Sequence, residues 1–397
     1  MELNLLTDQQ AHDLREMIAS AHHILITGHS RPDGDALGAC LAWSYYLADC
    51  FGKESTLIVP NGYPDFLHWL PGNERIVRYD KRPDDVKAMF DKADLVFCID
   101  YNALNRVDEM EQTLTECNAP RVMLDHHLNP TLPTILSVSK PDLSSSSEVV
   151  FRVAWQLGDF NKLDKKFATC VYCGMMTDTG GFTFNSTRPE IYFIICQLLT
   201  KHIDKDKIYR NVYNNYSQWA IRLRGYLMSQ KLNVFEDLHA SYFTLTRKNI
   251  RDYHYVRGDG EGLVNEPLRI KGMKVSVSLR EDDRVDNKIW VSLRSVDNFS
   301  VEDMAKRFFN GGGHFNASGG QLDCSMDEAE RITRSAFMYY ADILKWCQGF
   351  DRCIIKQIVY DKQLIKVLSQ WDVMSVFRLS RKSMAFHFAI EINPLVQ

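Results

Sequence analysis

The spacing of hydrophobic positions changes several times along the chain, and each change marks an element. Residues 7–20 carry apolar positions at helical spacing, with Leu14 and Ile18 on one face and Thr7 or Asp8 placed to cap the start. His23-Ile-Leu-Ile-Thr27 is a short run ending at Gly28-His29, and its length and β-branching predict a buried strand. Residues 36–50 read as a helix stopped near Gly52. Further strands are predicted at Ser55–Val59, at Leu95–Ile99 ending on Asp100, and at residues 121–124 ending on Asp125. Strands alternating with helices predict an α/β domain built on a mainly parallel sheet.

Helical spacing dominates 146–158, 164–178 and much of 188–228. After about residue 230 the texture shifts to short strand patterns at 241–246, 274–280 and 288–294. The last two both contain Ser-Leu-Arg, at 278–280 and 292–294, and the charged, turn-rich EDDRVDN between them predicts a hairpin. Helices are expected at about 300–309 and 326–346, with a glycine-rich loop between them. The expected organisation is a parallel-sheet domain at 1–228, a linker at 229–239, and a smaller α/β domain at 240–346, with the active site in the cleft between the two. Residues 347–397 are basic, moderately apolar and weakly periodic, and no role is assigned to them. There is no internal repeat.

Composition narrows the function classes. With 397 residues, 45% hydrophobic and 25% charged, the chain has the make-up of a soluble two-domain protein. A net charge of −4 provides no global basic field for long nucleic acid. Ten Cys follow no framework spacing, and the lone Cys170-Val-Tyr-Cys173 lies in an apolar helical pattern that predicts packing. MELNLLTDQQ lacks the pattern of a signal peptide, and no apolar run is long enough for a membrane span. The expectation is a cytoplasmic protein with no membrane partner.

The chemistry is carried by where His and Asp fall. The motifs are His29-Ser-Arg-Pro-Asp33-Gly-Asp35, Asp100, Asp125-His126-His127, and Asp178 in Met-Thr-Asp-Thr-Gly-Gly. Three of the four directly follow predicted apolar strands, and the carboxyl ends of parallel strands form the ligand crevice of an open sheet. Any one motif has a structural reading, such as a helix cap for Asp100 or a capped turn for Asp33. Together they gather carboxylates whose mutual repulsion cations would relieve. Carboxylate and imidazole donors suit manganese, magnesium or zinc. The candidate ligands His29, Asp33, Asp35, Asp100, His126 and Asp178 exceed the needs of one ordinary site. They fit two ions sharing a carboxylate, which activate water against a phosphate ester.

In the second domain, Asn310-Gly-Gly-Gly-His314-Phe-Asn-Ala-Ser-Gly-Gly320 allows close backbone approach, and its N–H groups could form an anion-binding nest. Arg280 and Arg294 share an offset within their strands, as two groups gripping phosphate from one face would.

On these motifs the chain resembles the DHH phosphoesterase family with its C-terminal DHH-associated domain, over about residues 5–346. Asp125-His126-His127 matches the namesake motif and Gly311–His314 the GGGH loop. Within the family it is most similar to the nanoRNase/pAp phosphatase group. The resemblance implies two divalent cations, manganese first and magnesium or another ion otherwise. It implies that His29 and Asp33 bind one ion, that Asp35, His126 and Asp178 bind the other, and that Asp100 bridges them. Asp100, Asp125 and His127 become the catalytic set: Asp125 orients a neighbouring imidazole, and His127 contacts substrate phosphate or protonates the leaving group. Arg294, Gly312, Gly313 and His314 become the substrate-binding set. The expected reaction is hydrolysis of very short oligoribonucleotides and 3′-phosphoadenosine 5′-phosphate by metal-bound hydroxide, with a homodimer left open. The alternatives are the same chemistry on linear dinucleotides, pyrophosphate or short single-stranded DNA, or a nucleotide-binding module without catalysis.

Overall fold

In a computed structural model, residues 3–256, 258–260 and 262–346 are described; residues 347–397, given no role above, lie outside them. The described chain forms two compact units. One comprises Met1–Lys231 and Leu245–Val264, the other Leu232–Thr244 and the chain from Asn265.

The first unit carries β1 (Ile24–Thr27), β2 (Ser55–Val59), β3 (Val77–Arg78), β4 (Leu95–Ile99), β5 (Arg121–Asp125) and β6 (Leu136–Ser139). Its helices are α1 (Asp8–Ser20), α2 (Gly34–Phe51), α3 (Pro83–Phe90), α4 (Glu111–Glu116), α5 (Ser146–Gln156), α6 (Lys165–Asp178), α7 (Pro189–Leu199), α8 (Lys205–Tyr213), α9 (Gln218–Tyr226) and α10 (Arg247–Asp252). The strands form one sheet in the order β3-β2-β1-β4-β5-β6, every pair parallel. The strand order reverses between β1 and β4, so the crevice at the carboxyl ends of these two strands is where this topology places a ligand. Leu95–Ile99 is buried throughout, as a strand covered on both faces must be. Among the described residues, no helix is long and apolar enough to cross a membrane.

Thr7 caps α1 in a reciprocal pair with Gln10. Residues 245–264 return to the first unit, held by Tyr253 stacked on Tyr226 and His254 against Trp219. Residues 229–239 are therefore not the only place where the chain passes between units.

Helices α2 and α6 meet closely because small residues line the contact. A Cβ on Gly38 would lie 2.6 Å from the Cys170 carbonyl oxygen. A Cβ on Gly174 would lie 1.9 Å from Ser147 Oγ and 2.8 Å from Asp35 Oδ1. The buried thiols of Cys170 and Cys173 pack in this layer.

The second unit carries β7 (Leu232–Phe235), β8 (Ala240–Leu245), β9 (Val275–Glu281), β10 (Lys288–Ser295), β11 (Gly312–His314) and β12 (Ala317–Asp323), with α11 (Val301–Phe308), α12 (Met326–Tyr339) and α13 (Ala341–Trp346). The sheet order is β11-β12-β10-β9-β8-β7. β9 and β10 form the expected antiparallel hairpin. The glycine-rich stretch expected as a loop instead folds into β11 and β12. Its glycines permit the edge strand's close approach: a Cβ on Gly311 would lie 1.9 Å from the Gly319 carbonyl oxygen, and one on Gly313 would lie 2.7 Å from that of Ala317. Val275, Val277, Leu279, Val291 and Leu293 face α11 and α12 in an apolar core.

Gly174→Ala is expected to destabilise the protein by about 1–3 kcal/mol, the usual cost of overpacking. Gly225→Ala, in α9 with nothing within 4 Å of the new methyl, should leave stability unchanged or raise it slightly. Thermal melts of the two variants check the contrast; equal melting temperatures would refute the close-contact account.

Candidate metal centre

The crevice at the β1/β4 reversal collects the predicted residues of the first unit. His29 lies two residues past β1, and its Nδ1–H donates to the Ser30 carbonyl oxygen at 2.8 Å. That bond turns Nε2 toward carboxylates, 3.4 Å from Asp100 Oδ2 and 3.9 Å from Asp33 Oδ2. Asp33 caps α2 as well: its Oδ1 accepts from the N–H groups of Asp35 and Ala36. The capping and ligand readings of Asp33 are thus compatible, one through each carboxylate oxygen.

Asp100 follows β4 directly, with its N–H donated to the Leu124 carbonyl oxygen. It caps no helix. Its φ of 65° lies in the left-handed region, which costs a non-glycine residue about 1–2 kcal/mol. Backbone strain of this kind persists where surrounding structure imposes it, often at functional sites. Oδ1 accepts from Ser146 Oγ at 2.8 Å. His126 Nε2 lies 3.4 Å from Asp178 Oδ2, 3.7 Å from Asp100 Oδ1 and 4.0 Å from Asp35 Oδ2. Asp178 is the last residue of α6. Asp125 is fully buried at the end of β5; it accepts from the His127 backbone N–H at 2.9 Å and from the His127 ring Nδ1 at 2.7 Å.

Within the first unit, three groups of donor atoms each lie within 4.8 Å of one another: His29, Asp33 and Asp100; Asp35, Asp100 and His126; Asp100, Asp125 and His127. Asp100 belongs to all three. Ligands about 2.1 Å from an octahedral ion sit about 3.0 Å apart at right angles and about 4.2 Å apart across it. The observed imidazole–carboxylate separations of 3.4–4.0 Å fall in that range. The hard oxygen and imidazole donors likewise fit a manganese- or magnesium-type cation.

The electrostatics show what a cation would relieve. Burial, with the Asp100 and Asp178 charges, pushes the Asp35 carboxyl well up. This happens although Asp35 accepts the first two N–H groups of α5, from Ser146 at 2.7 Å and Ser147 at 2.9 Å. Burial likewise lifts Asp178 to about 7 against the pull of His126, and the Asp33 and Asp100 charges add to it. Burial opposes charge on His29 and His126, yet neighbouring carboxylates carry both to about 9. Burial also opposes the charge on Asp100, but the His29 hydrogen bond and the surrounding imidazoles hold its carboxyl below the ordinary range. A divalent cation would offset the negative charge that these carboxylates share.

Several supporting residues were not singled out from the sequence. Ser146 and Ser147 hold Asp35 and Asp100. The fully buried Glu148 carboxylate accepts from Ser144, Arg152 and Arg188, which ties the start of α5 to the start of α7. The available signal was Ser145-Ser-Ser-Glu148, the spacing of a capped helix start, and Ser145 Oγ does accept from the Glu148 N–H.

In the second unit, the registers place His314, Ala317, Arg294 and Ser276 side by side across β11, β12, β10 and β9. Gly312 lies one rung further along the same face, and Gly313 alternates to the other.

Comparison with known proteins matches the DHH family, N-terminal domain, to residues 23–175 and the DHHA1 domain to residues 252–337. The bifunctional oligoribonuclease and PAP phosphatase NrnA of Bacillus subtilis is 25% identical over 312 residues, covering 78% of this chain and 92% of that protein. The protein of the same description from Thermus thermophilus is 26% identical over 326 residues, 79% of this chain and 92% of its own. A crystallised exopolyphosphatase-related protein from Bacteroides fragilis is 43% identical and superposes with a TM-score of 0.81 over 86% of this chain and 100% of that one. With its motifs at one strand crevice and both domain types present, the chain belongs to the DHH family of phosphoesterases.

Proposed function

We propose that this chain hydrolyses very short oligoribonucleotides and 3′-phosphoadenosine 5′-phosphate with two divalent cations, manganese first. The observation that carries this reading is the Asp100 carboxylate, common to the three donor groups formed within the first unit. His29 and Asp33 would hold one ion, Asp35, His126 and Asp178 the other, and Asp100 both. Such a pair supplies Lewis acidity to the phosphate and lowers the pKa of a bound water. The carbonyl bonds to His29 and His126 Nδ1 support this, since each ring would then bind an ion through Nε2. Asp125 orients His127 through Nδ1, so His127 would act through Nε2 on the substrate phosphate or the leaving oxygen. Arg294 and His314, with the backbone at Gly312 and Gly313, would bind substrate phosphate. The substrate class is supported by the two relatives described as oligoribonuclease and PAP phosphatase and by the net charge of −4, which offers long strands no basic track.

The direct test is a set of end-labelled RNAs of increasing length, digested with manganese at fixed salt. Catalytic efficiency should peak at about two to five nucleotides, the span of a pocket rather than a groove, and fall by about twenty. A steady rise with length would favour an exonuclease of long strands instead.

Chelation should abolish activity and manganese restore it. Asp100→Gly should cost more than about a hundredfold in rate, beyond what loss of an outer partner to a ligand costs. Glycine adopts the left-handed backbone freely, so the melting temperature should not fall by more than a few degrees. A variant that turns over normally would remove Asp100 from the mechanism. His314→Ala should impair turnover while bound manganese stays at the wild-type level; loss of the metal would contradict a substrate role.

A further inference from the structure

The sheet of the second unit has two unlike faces. One packs α11 and α12. The other is polar, and the registers order it into rungs. The first rung is His314, Ala317, Arg294 and Ser276. The second is Gly312, Gly319, Ser292 and Ser278. The third sets Gln321, Trp290 and Arg280 side by side, and on the fourth Asp323 stands opposite Lys288.

The rungs differ in size and charge. Side chains on the second are absent or small, so they form a low floor, with Ser292 exposed and Gly319 and Ser278 half-buried. Trp290 rises beyond the floor, half-buried. Its Nε1–H donates to Asp282 Oδ2 at 2.7 Å, which fixes the ring's rotation. Strand rise puts Arg294 and Trp290, four residues apart, about 13 Å from each other along β10, room for one nucleoside between them. On the first rung the buried Ser276 hydroxyl has no hydrogen-bond partner among the described residues.

We propose that Trp290 is the wall against which the base stacks when the phosphate of the same nucleotide is held at Arg294 and His314. This deepens the function proposed above and rests on its assignment of phosphate to that first rung. Charge decides the direction. Arg294 and His314 favour an anion, whereas Arg280 at the far end already feels the Asp282 carboxylate, and Asp323 stands on the rung beyond. A neutral base suits that end and a phosphate does not. Lys288 Nζ sits 4.6 Å from the Trp290 ring centroid, so the ring already receives a partner over its face. Base stacking on an aromatic ring is at least as strong as such a cation–π contact, and a base would displace the ammonium. Stacking is tolerant of base identity, so all four bases should be accepted.

The experiment is calorimetric titration of the full chain, loaded with manganese, with 5′-AMP and with ribose 5-phosphate, which has the phosphate and sugar but no base. Wild type should bind 5′-AMP at least about fivefold more tightly than ribose 5-phosphate. Trp290→Ala should lose that margin while its affinity for ribose 5-phosphate is unchanged; Trp290→Phe should keep most of it. Unchanged 5′-AMP affinity in Trp290→Ala, equal losses for both ligands, or no binding of 5′-AMP by wild type would each overturn the assignment. Trp290-dependent 5′-AMP binding by a wild type that leaves short RNA intact would keep the subsite and defeat the RNA substrate. Cleavage of short RNA with a base preference indifferent to Trp290 would do the reverse.

Discussion

The crowding of carboxylates around Asp100 is the constraint on which the rest of the first unit depends. Asp33, Asp35, Asp100 and Asp178 surround two imidazoles in a crevice where Asp35 and Asp100 are almost fully buried. Like charges this close raise one another's pKa values, and protons or cations must fill the deficit. Much of the nearby architecture answers that repulsion. Two N–H groups at the start of α5 meet Asp35, the Ser146 hydroxyl meets Asp100, and α2 presents its own N-terminus to Asp33. Each donor lowers the cost of holding negative charge without filling the place of an ion.

Those donors reach the cluster only because the helices carrying them can approach it. The α2–α6 contact is set by Gly38 and Gly174, and the latter leaves the space that Ser147 Oγ and the Asp35 carboxylate occupy. Asp178 comes to the same crevice as the last residue of α6. A helix–helix packing distance thus fixes the spacing of these carboxylates, and the strained backbone at Asp100 is held by the β4–β5 ladder and the Ser146 hydroxyl on either side.

The gathering of these His and Asp residues was legible in the sequence because each strand motif ends an apolar run, and the parallel topology brings such ends together. Asp33 shows the limit of that reading: capping and ligation looked like rivals in one dimension, yet the cap uses Oδ1 alone and Oδ2 lies on the side of His29 Nε2. Ser146 and Ser147 were not legible as site residues, because their contribution is chiefly the N–H groups of a helix start, which any residue type supplies. Gly174 was hidden in an apolar helix. The stretch 310–320 was misread as a loop because glycine has no strand propensity of its own; these residues pair because their lack of side chains admits the neighbouring backbone. Strands as short as Val77–Arg78 carry too few positions for any period to show.

The second sheet shows where alternation carries more than a core. In Lys288–Ser295 the odd positions are apolar and buried up to Leu293, which is enough to predict a strand. Of the even positions, Arg294 stands out in the sequence through its shared offset with Arg280, whereas Lys288, Trp290 and Ser292 look like unrelated surface residues. Register turns them into an ordered series: a charged end, a ring, a low floor and an arginine. A half-buried Trp on the polar face is out of keeping with simple solvation, since its apolar area would be better placed against α11 and α12. Its indole N–H is tied to Asp282, so the ring is held where it stands rather than left to find the core. Holding an aromatic ring at a fixed distance from an arginine is of use to a ligand that has both a flat face and a negative charge, and a nucleotide has both.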